Sequence, residues 1–193
     1  MTVTATEPRA DNPVRAALRR WPTAIGIVFA VFTVWGLTSG VGLGAVVAAS
    51  GLVYLGAAAV QRRGAAWPMF GVAFLVIAAA DFTPWESDFG TWAVIGLAAL
   101  LAVYGLLRGA ARPAEGLPLQ TLGMVAFGGI AALVLYVGED LGSYLVAAGL
   151  LGHAAWDVYH HRKDIVVSRS LAEFCFVLDT LVAVVIIVVA LRG

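Results

Sequence analysis

Charged residues and cysteine are scarce in this chain of 193 residues. Asp, Glu, Lys and Arg together make up 12 % of it, which excludes a fold whose whole surface faces water, because a soluble domain carries about 25 %. The single cysteine, Cys175, excludes a disulfide within the chain. A glycine-rich phosphate loop between a strand and a helix is also missing, so the sequence does not favour a nucleotide-binding protein.

Long apolar blocks make up most of the chain. Hydrophobic residues account for 61 % of it and occur in stretches separated by short polar segments. A helix needs about 20 apolar residues to cross a bilayer core of about 30 Å. The pattern predicts an all-α integral membrane protein with seven transmembrane helices, at about 22–39, 41–60, 65–81, 91–108, 118–138, 142–160 and 171–191.

The distribution of basic residues predicts how these spans are oriented. Every second connection is basic, and the connections between them carry acidic residues without Lys or Arg. Because cytoplasmic loops are enriched in Lys and Arg, the N-terminus is predicted to be cytoplasmic and the C-terminus to lie outside. The basic connections contain Arg9, Arg15, Arg19, Arg20, Arg62, Arg63, Arg108, Arg112, Arg162, Lys163 and Arg169, and the acidic ones contain Asp81, Glu86, Asp88, Glu139 and Asp140.

The same pattern predicts the domain organisation. Residues 1–20 are expected to form a mobile polar tail in the cytoplasm, and residues 21–193 a single seven-helix membrane domain. The preference for Arg over Lys, with abundant Ala and Gly, is typical of a high-GC bacterial genome. We therefore expect a multi-pass protein of the bacterial cell (inner) membrane, in contact with membrane lipid. The basic residues are explained by their position in the predicted cytoplasmic loops, so no nucleic-acid partner is expected.

Small residues predict close packing between helices. Gly40, Gly44 and Ala48 recur at every fourth position, and Gly149 and Gly152 form a similar thin face on the sixth span. Such faces let helix backbones approach each other within lipid. They favour packing inside one bundle, and a homo-oligomer interface is the alternative.

The run GHAAWDVYHHRKD at 152–164 contains all three histidines of the chain. At 100° per residue, His153, Asp157 and His160 fall within about 60° of one another on the sixth helix. The stripe extends about 12 Å, from near mid-membrane towards the cytoplasmic surface. Imidazole and carboxylate together suit a divalent metal such as zinc or iron, so His153, Asp157 and His160 are the predicted metal ligands.

The seventh span adds two acidic residues, Glu173 about one turn from its start and Asp179 about 12 Å along it. Consecutive helices joined by a short loop are usually neighbours, so matching depth pairs Asp157 with Glu173 and His153 with Asp179. An ionisable group near the bilayer centre is costly and is by default paired or functional. Asp179 and Glu173 are the predicted catalytic residues, as general acid and base.

Several functions agree with these polar residues on the sixth and seventh spans. One is a metal-dependent enzyme that activates water towards a lipid or other apolar substrate, and another is a metal-free cyclase or isomerase. A third is a proton or solute transporter, or an accessory membrane subunit, that uses the buried Asp157 and Asp179. A purely structural explanation also exists, in which His160 bonds terminal carbonyls of its helix and Asp157 pairs with Arg162 or Arg169.

Two resemblances follow from these residues. HAAWDVYHH is similar in outline to the histidine boxes of membrane fatty-acid desaturases, but Asp157 stands where a second histidine would belong and the other boxes are absent, so we reject that family. Seven spans with three histidines and a buried Asp also resemble the adiponectin-receptor and alkaline-ceramidase superfamily, which implies zinc-dependent lipid hydrolysis. Only His153, Asp157 and His160 match that family loosely, and its early-helix histidine has no counterpart.

Overall fold

The computed structural model describes residues 20–82 and 88–192, apart from the side chain of Asp81. Within these ranges the chain forms α-helices and short 3₁₀ turns but no strand, which confirms the all-α prediction. Seven helices lie within the described residues: α1 Trp21–Thr33, α2 Gly44–Ala59, α3 Ala66–Asp81, α4 Phe89–Leu107, α5 Leu117–Val134, α6 Glu139–Lys163 and α7 Arg169–Ala190. The predicted N-terminal tail up to residue 19 and the predicted acidic loop residue Glu86 lie outside the described residues.

Helix α1 is shorter than the predicted first span. It ends at Thr33, whereas the apolar block continues to residue 39. The chain leaves the helix through Gly36, whose φ of 72° is left-handed and carries no steric penalty for glycine. With 13 residues, α1 is only about 20 Å long, which is less than the thickness of a bilayer core.

Five helices are long and apolar enough to cross a membrane: α2 with its preceding turn, α3 with its preceding turn, α4, α5 and α7. Of the two remaining helices, α1 is short, and α6 is long enough at 25 residues but contains most of the polar run 152–164. The number of seven spans and their orientation therefore stay predictions.

Helix α2 lies at the centre of the bundle and packs against α3, α4, α5 and α6. Thirteen of its 16 residues are buried, and most of them are Gly or Ala. Small side chains allow this helix to have four close neighbours, because they let helix backbones approach each other closely. The largest buried side chain on it is Tyr54, whose hydroxyl is thereby held in the interior.

Helices α6 and α7 pack along each other, as their short connection predicts, and α1 also packs on α7. The connection begins at Asp164, which ends α6 in a left-handed conformation with φ 56°. It ends at Ser168, whose hydroxyl accepts a hydrogen bond of 3.4 Å from the Leu171 amide at the start of α7. A hydrogen bond and ion pair between Arg63 and Asp164 ties this loop to the connection between α2 and α3.

The predicted small-residue faces pack within the single chain. A methyl group added to Gly149 would lie 2.8 Å from a Val47 methyl carbon of α2, and one added to Gly40 would lie 3.2 Å from Ser143 of α6. Gly40 also uses its amide to donate a 3.0 Å hydrogen bond to the Ser143 hydroxyl. The small-residue faces around Gly40 and Gly149 therefore pack against other helices of the same chain. A homo-oligomer interface stays a prediction.

Candidate functional site

Three ionisable side chains meet in the interior where α6 packs on α7. His153 and Asp157 stand one turn apart on α6, and Asp179 faces them from α7. Their exposed fractions are 1 %, 0 % and 2 %, so all three are removed from solvent. Ionisable groups are rarely buried so fully unless they are paired or bound to a metal.

Both carboxylates approach the same nitrogen of the imidazole. Asp179 Oδ2 lies 2.7 Å from His153 Nδ1, and Asp157 Oδ2 lies 3.3 Å from it. When Asp179 is ionised its oxygens only accept, and Nδ1 then carries the proton and donates to Asp179. One ligand atom from each of the three residues can be chosen so that all three atoms lie within 4.8 Å of one another, a spacing that would accommodate a metal ion.

Tyr54 of α2 fixes the orientation of Asp157. Its hydroxyl donates a 2.5 Å hydrogen bond to Asp157 Oδ1, which leaves Oδ2 directed towards the histidine. The Tyr54 ring stands edge-on to His153, with ring centres 5.2 Å apart, and Phe127 of α5 packs on the same imidazole at 5.1 Å. Four helices therefore hold the cluster in place.

Two polar atoms in the cluster have no hydrogen-bond partner, His153 Nε2 and Asp157 Oδ2. Leaving a buried polar atom unpaired costs about 1–3 kcal/mol, so native structures contain few of them. Both unpaired atoms belong to the group of three possible metal ligands. Their lack of a partner is the feature that most clearly separates this cluster from an ordinary buried ion pair.

His160 lies apart from the cluster, in a hydrogen-bond network of its own. Its Nδ1 donates to the Trp156 carbonyl at 2.9 Å, so the other nitrogen, Nε2, accepts from the Gln120 side-chain amide, also at 2.9 Å. The Gln120 carbonyl oxygen in turn accepts from the Trp156 indole at 3.2 Å. Both ring nitrogens are therefore used, which agrees with a structural role for a residue predicted from sequence as a ligand.

Glu173, predicted as a catalytic partner of Asp179, faces a different direction. Its carboxylate accepts a 2.5 Å hydrogen bond from the Thr23 hydroxyl of α1 and lies 3.5 Å from an Arg20 guanidinium nitrogen. The alternative in which Asp157 pairs with Arg162 or Arg169 is wrong, because Asp157 instead bonds Tyr54 and faces His153. The depth-matched pair of His153 and Asp179 is confirmed.

A cavity of about 250 Å³ between α1, α6 and α7 extends from the basic end of the bundle towards the cluster. Asp157 and Glu173 both line it, so both residues of the second depth-matched pair border one space. Apolar and polar side chains share the remaining wall, which consists of Arg20, Thr23, Val158, His161, Arg162, Ala172, Phe176 and Val177.

Tyr54 and Gln120 are not among the residues predicted from the sequence, although both carry a recognisable signal. Each is a hydrogen-bonding side chain in an apolar block, and such residues usually face the interior of a membrane bundle. Their partners were not predictable, because Tyr54 is separated from Asp157 by 103 positions and Gln120 from His160 by 40.

Comparison of the chain with models of protein families, with curated proteins and with solved structures finds no match. Fold and site geometry are therefore the basis for a function. The chain is a helical bundle in which several helices are apolar enough to cross a membrane, and it contains a buried cluster of histidine and aspartate. Both features are compatible with a membrane protein.

Proposed function

We propose that the chain is a seven-span membrane protein that binds a divalent metal ion, such as zinc or iron, through His153, Asp157 and Asp179 and acts as an enzyme on a lipid or other apolar substrate. The observation that carries this proposal is the group of three buried ligands in which Asp157 Oδ2 and His153 Nε2 lack a hydrogen-bond partner.

Support for the membrane topology comes from the grouping of the basic connections. Residues from the connections α2–α3, α4–α5 and α6–α7 line one common cavity, so these connections lie at the same end of the bundle. Arg20, at the start of α1, reaches Glu173 near the start of α7 and is thus at this end too. A single basic end is the arrangement expected for a cytoplasmic face.

Charge balance favours a divalent cation. Two ionised carboxylates and one protonated imidazole would leave one negative charge uncompensated in a site shielded from water. A divalent cation bound to a neutral imidazole and two carboxylates gives a neutral group. Mixed nitrogen and oxygen ligands of this kind suit zinc, iron or manganese. Tyr54 serves as the outer hydrogen-bond partner that orients a ligating carboxylate.

The cavity between α1, α6 and α7 supplies the route for an amphiphilic substrate. Phe176 and Val177 offer an apolar wall, whereas Arg20 and Arg162 carry positive charge at the same cavity. A metal ion can activate water or polarise a substrate carbonyl, and Glu173 on the cavity wall is the group placed to exchange a proton with the substrate. Asp179, fully covered beside His153, acts as a ligand in this proposal.

Metal content tests the proposal directly. The full chain purified in detergent should contain, or take up after chelation, about one divalent ion per chain. His153→Gln, Asp157→Asn and Asp179→Asn should each lower the affinity for that ion by tenfold or more, because each removes one of three ligands. His161→Gln is the matched control, since it removes a histidine of the same helix that lies outside the three-ligand group.

Folding must be followed in the same samples by circular dichroism and thermal unfolding. A bound metal should raise the unfolding temperature of the wild type and the His161→Gln control but not that of Asp157→Asn. A wild-type chain that neither contains nor takes up zinc, iron or manganese would contradict the proposal. Equal metal content in all four variants would contradict the assignment of the ligands.

Proton or solute transfer is the second candidate, and one observation favours it. A single nitrogen, His153 Nδ1, faces two carboxylates within 3.3 Å, so a proton on it can pass to either Asp157 or Asp179. Proteoliposomes containing the chain would then show a proton flux under a pH gradient, and Asp179→Asn would abolish it. A flux equal to that of empty liposomes excludes this candidate.

A further inference from the structure

A second cavity, of about 420 Å³, opens at the basic end of the bundle and is separate from the histidine and aspartate cluster. Its wall is assembled from the three basic connections and from the adjoining helix ends. The volume is within the range of pockets that bind small ligands. None of the predicted catalytic or metal-binding residues lines it.

Four basic side chains converge on this cavity: Arg62, Arg63, Arg112 and Lys163. Two acidic residues, Glu115 and Asp164, also line it, but Asp164 is already neutralised by Arg63 and by Arg169, whose Nε lies 3.3 Å from it. Within the described part of the chain, Arg62, Arg112 and Lys163 have no carboxylate partner. The cavity therefore has an excess of uncompensated positive charge.

Part of the wall of the same cavity is apolar. Ala57 and Ala58 of α2 line it, together with Leu117 at the start of α5 and Ile165 and Val166 of the α6–α7 connection. Cationic side chains next to an apolar wall match a ligand that has an anionic head and a hydrocarbon part. Basic pockets between helices at a cytoplasmic membrane surface are typical binding sites for phospholipid head groups.

We infer that this cavity is a binding site for a phosphate group, held by Arg62, Arg112 and Lys163. The apolar wall favours phosphate carried by an anionic lipid over free phosphate. Arginine suits this ligand because its planar guanidinium can donate two parallel hydrogen bonds to phosphate oxygens, and lysine adds a point charge. The inference is independent of metal binding, because the two sites share no residue.

Native mass spectrometry of the full chain in detergent tests the inference. The chain is titrated with phosphatidylglycerol, with phosphatidylcholine and, separately, with inorganic phosphate. Phosphatidylglycerol should bind at least tenfold more tightly than phosphatidylcholine, which carries the same phosphate with a compensating cation. Arg62→Gln and Arg112→Gln should each weaken phosphatidylglycerol binding by about tenfold, the effect of losing one charged hydrogen-bond donor.

Two further variants separate a local site from general attraction to a positive surface. Glu115→Gln removes the carboxylate that is not ion-paired in the cavity and should tighten binding. Arg108→Gln removes a positive charge from the end of α4, where the guanidinium contacts Tyr104 and does not line the cavity, and should leave binding within twofold of the wild type.

The outcomes are distinct. Binding of inorganic phosphate with the same dependence on Arg62 and Arg112, and no added affinity for phosphatidylglycerol, would support the phosphate site and reject the lipid. The inference is overturned if phosphatidylglycerol and phosphatidylcholine bind equally and phosphate does not bind. It is also overturned if Arg108→Gln weakens binding as much as Arg62→Gln does.

Discussion

His153 and Asp179 approach each other to 2.7 Å across the contact between α6 and α7, with both side chains buried. Asp157 lies on the same side of the imidazole, so one ring nitrogen faces two carboxylates. Such an arrangement is costly in an apolar interior unless a cation resides there or a proton is shared. Both proposed functions therefore centre on the cluster of His153, Asp157 and Asp179, which lies where α6 packs on α7.

Replacing Tyr54 by phenylalanine should destabilise the fold without a large change in packing. The substitution removes the hydroxyl that donates to Asp157 Oδ1 and leaves a second buried oxygen of that carboxylate unpaired. We expect a loss of about 1–3 kcal/mol in the free energy of unfolding, measured by denaturant titration in detergent. Tyr104→Phe is the control, because its hydroxyl only accepts from the exposed Arg108, and it should change stability by less than about 0.5 kcal/mol.

His160 and His153 should respond differently to substitution. His160→Leu leaves one N–H of the buried Gln120 amide without its acceptor, so it should lower stability by about 1–3 kcal/mol. Metal affinity, measured by titration of the chelated protein, should stay close to that of the wild type. Loss of the metal in His160→Leu at unchanged stability would instead identify His160 as a ligand.

Glycine substitutions test the packing of α1 on α7. A methyl group at Gly26 would lie 2.9 Å from the Phe174 carbonyl oxygen, a backbone atom that cannot rotate away. Gly26→Ala should therefore separate the two helices and destabilise the protein by about 1–3 kcal/mol. Gly96→Ala on α4 meets no atom within 4 Å and should be neutral or stabilising by up to about 1 kcal/mol. Thermal unfolding of both variants decides the comparison, and equal unfolding temperatures would contradict the packing described for α1.

Thiol labelling tests the predicted orientation. In a Cys175→Ala background, Arg62→Cys at the basic end should react with a membrane-impermeant maleimide only after the bacterial membrane is opened. Glu139→Cys, at the start of α6, should react in intact cells, since an odd number of spans separates the two positions in the seven-span topology. Labelling of both positions in intact cells would reject that topology.

Sequence periodicity was sufficient for the general architecture. Apolar blocks predicted every helix in the described ranges to within a few residues at most boundaries, because a bilayer-length helix leaves a long and continuous signal. The largest difference is the end of α1, where hydrophobicity continued but Gly36 turned the backbone out of the helix. Backbone conformation at a single glycine is not encoded in hydrophobicity.

Helical spacing also placed His153 and Asp157 on one face, and matching depth paired His153 with Asp179 across a short loop. These relations are local, extending over one helix and its neighbour in sequence. Local sequence is therefore enough to predict the height of each polar residue along α6 and α7.

Which of those residues share a site depends on packing between helices that are distant in the sequence. Tyr54 reaches Asp157 from the central helix α2, and Gln120 holds His160 away from the cluster, although the sequence places His160 on the same stripe as His153. Glu173 is likewise drawn to Thr23 of α1. Rotation of each helix about its axis is set by how side chains from distant segments pack and satisfy one another's hydrogen bonds, and hydrophobic periodicity carries little information about those partners.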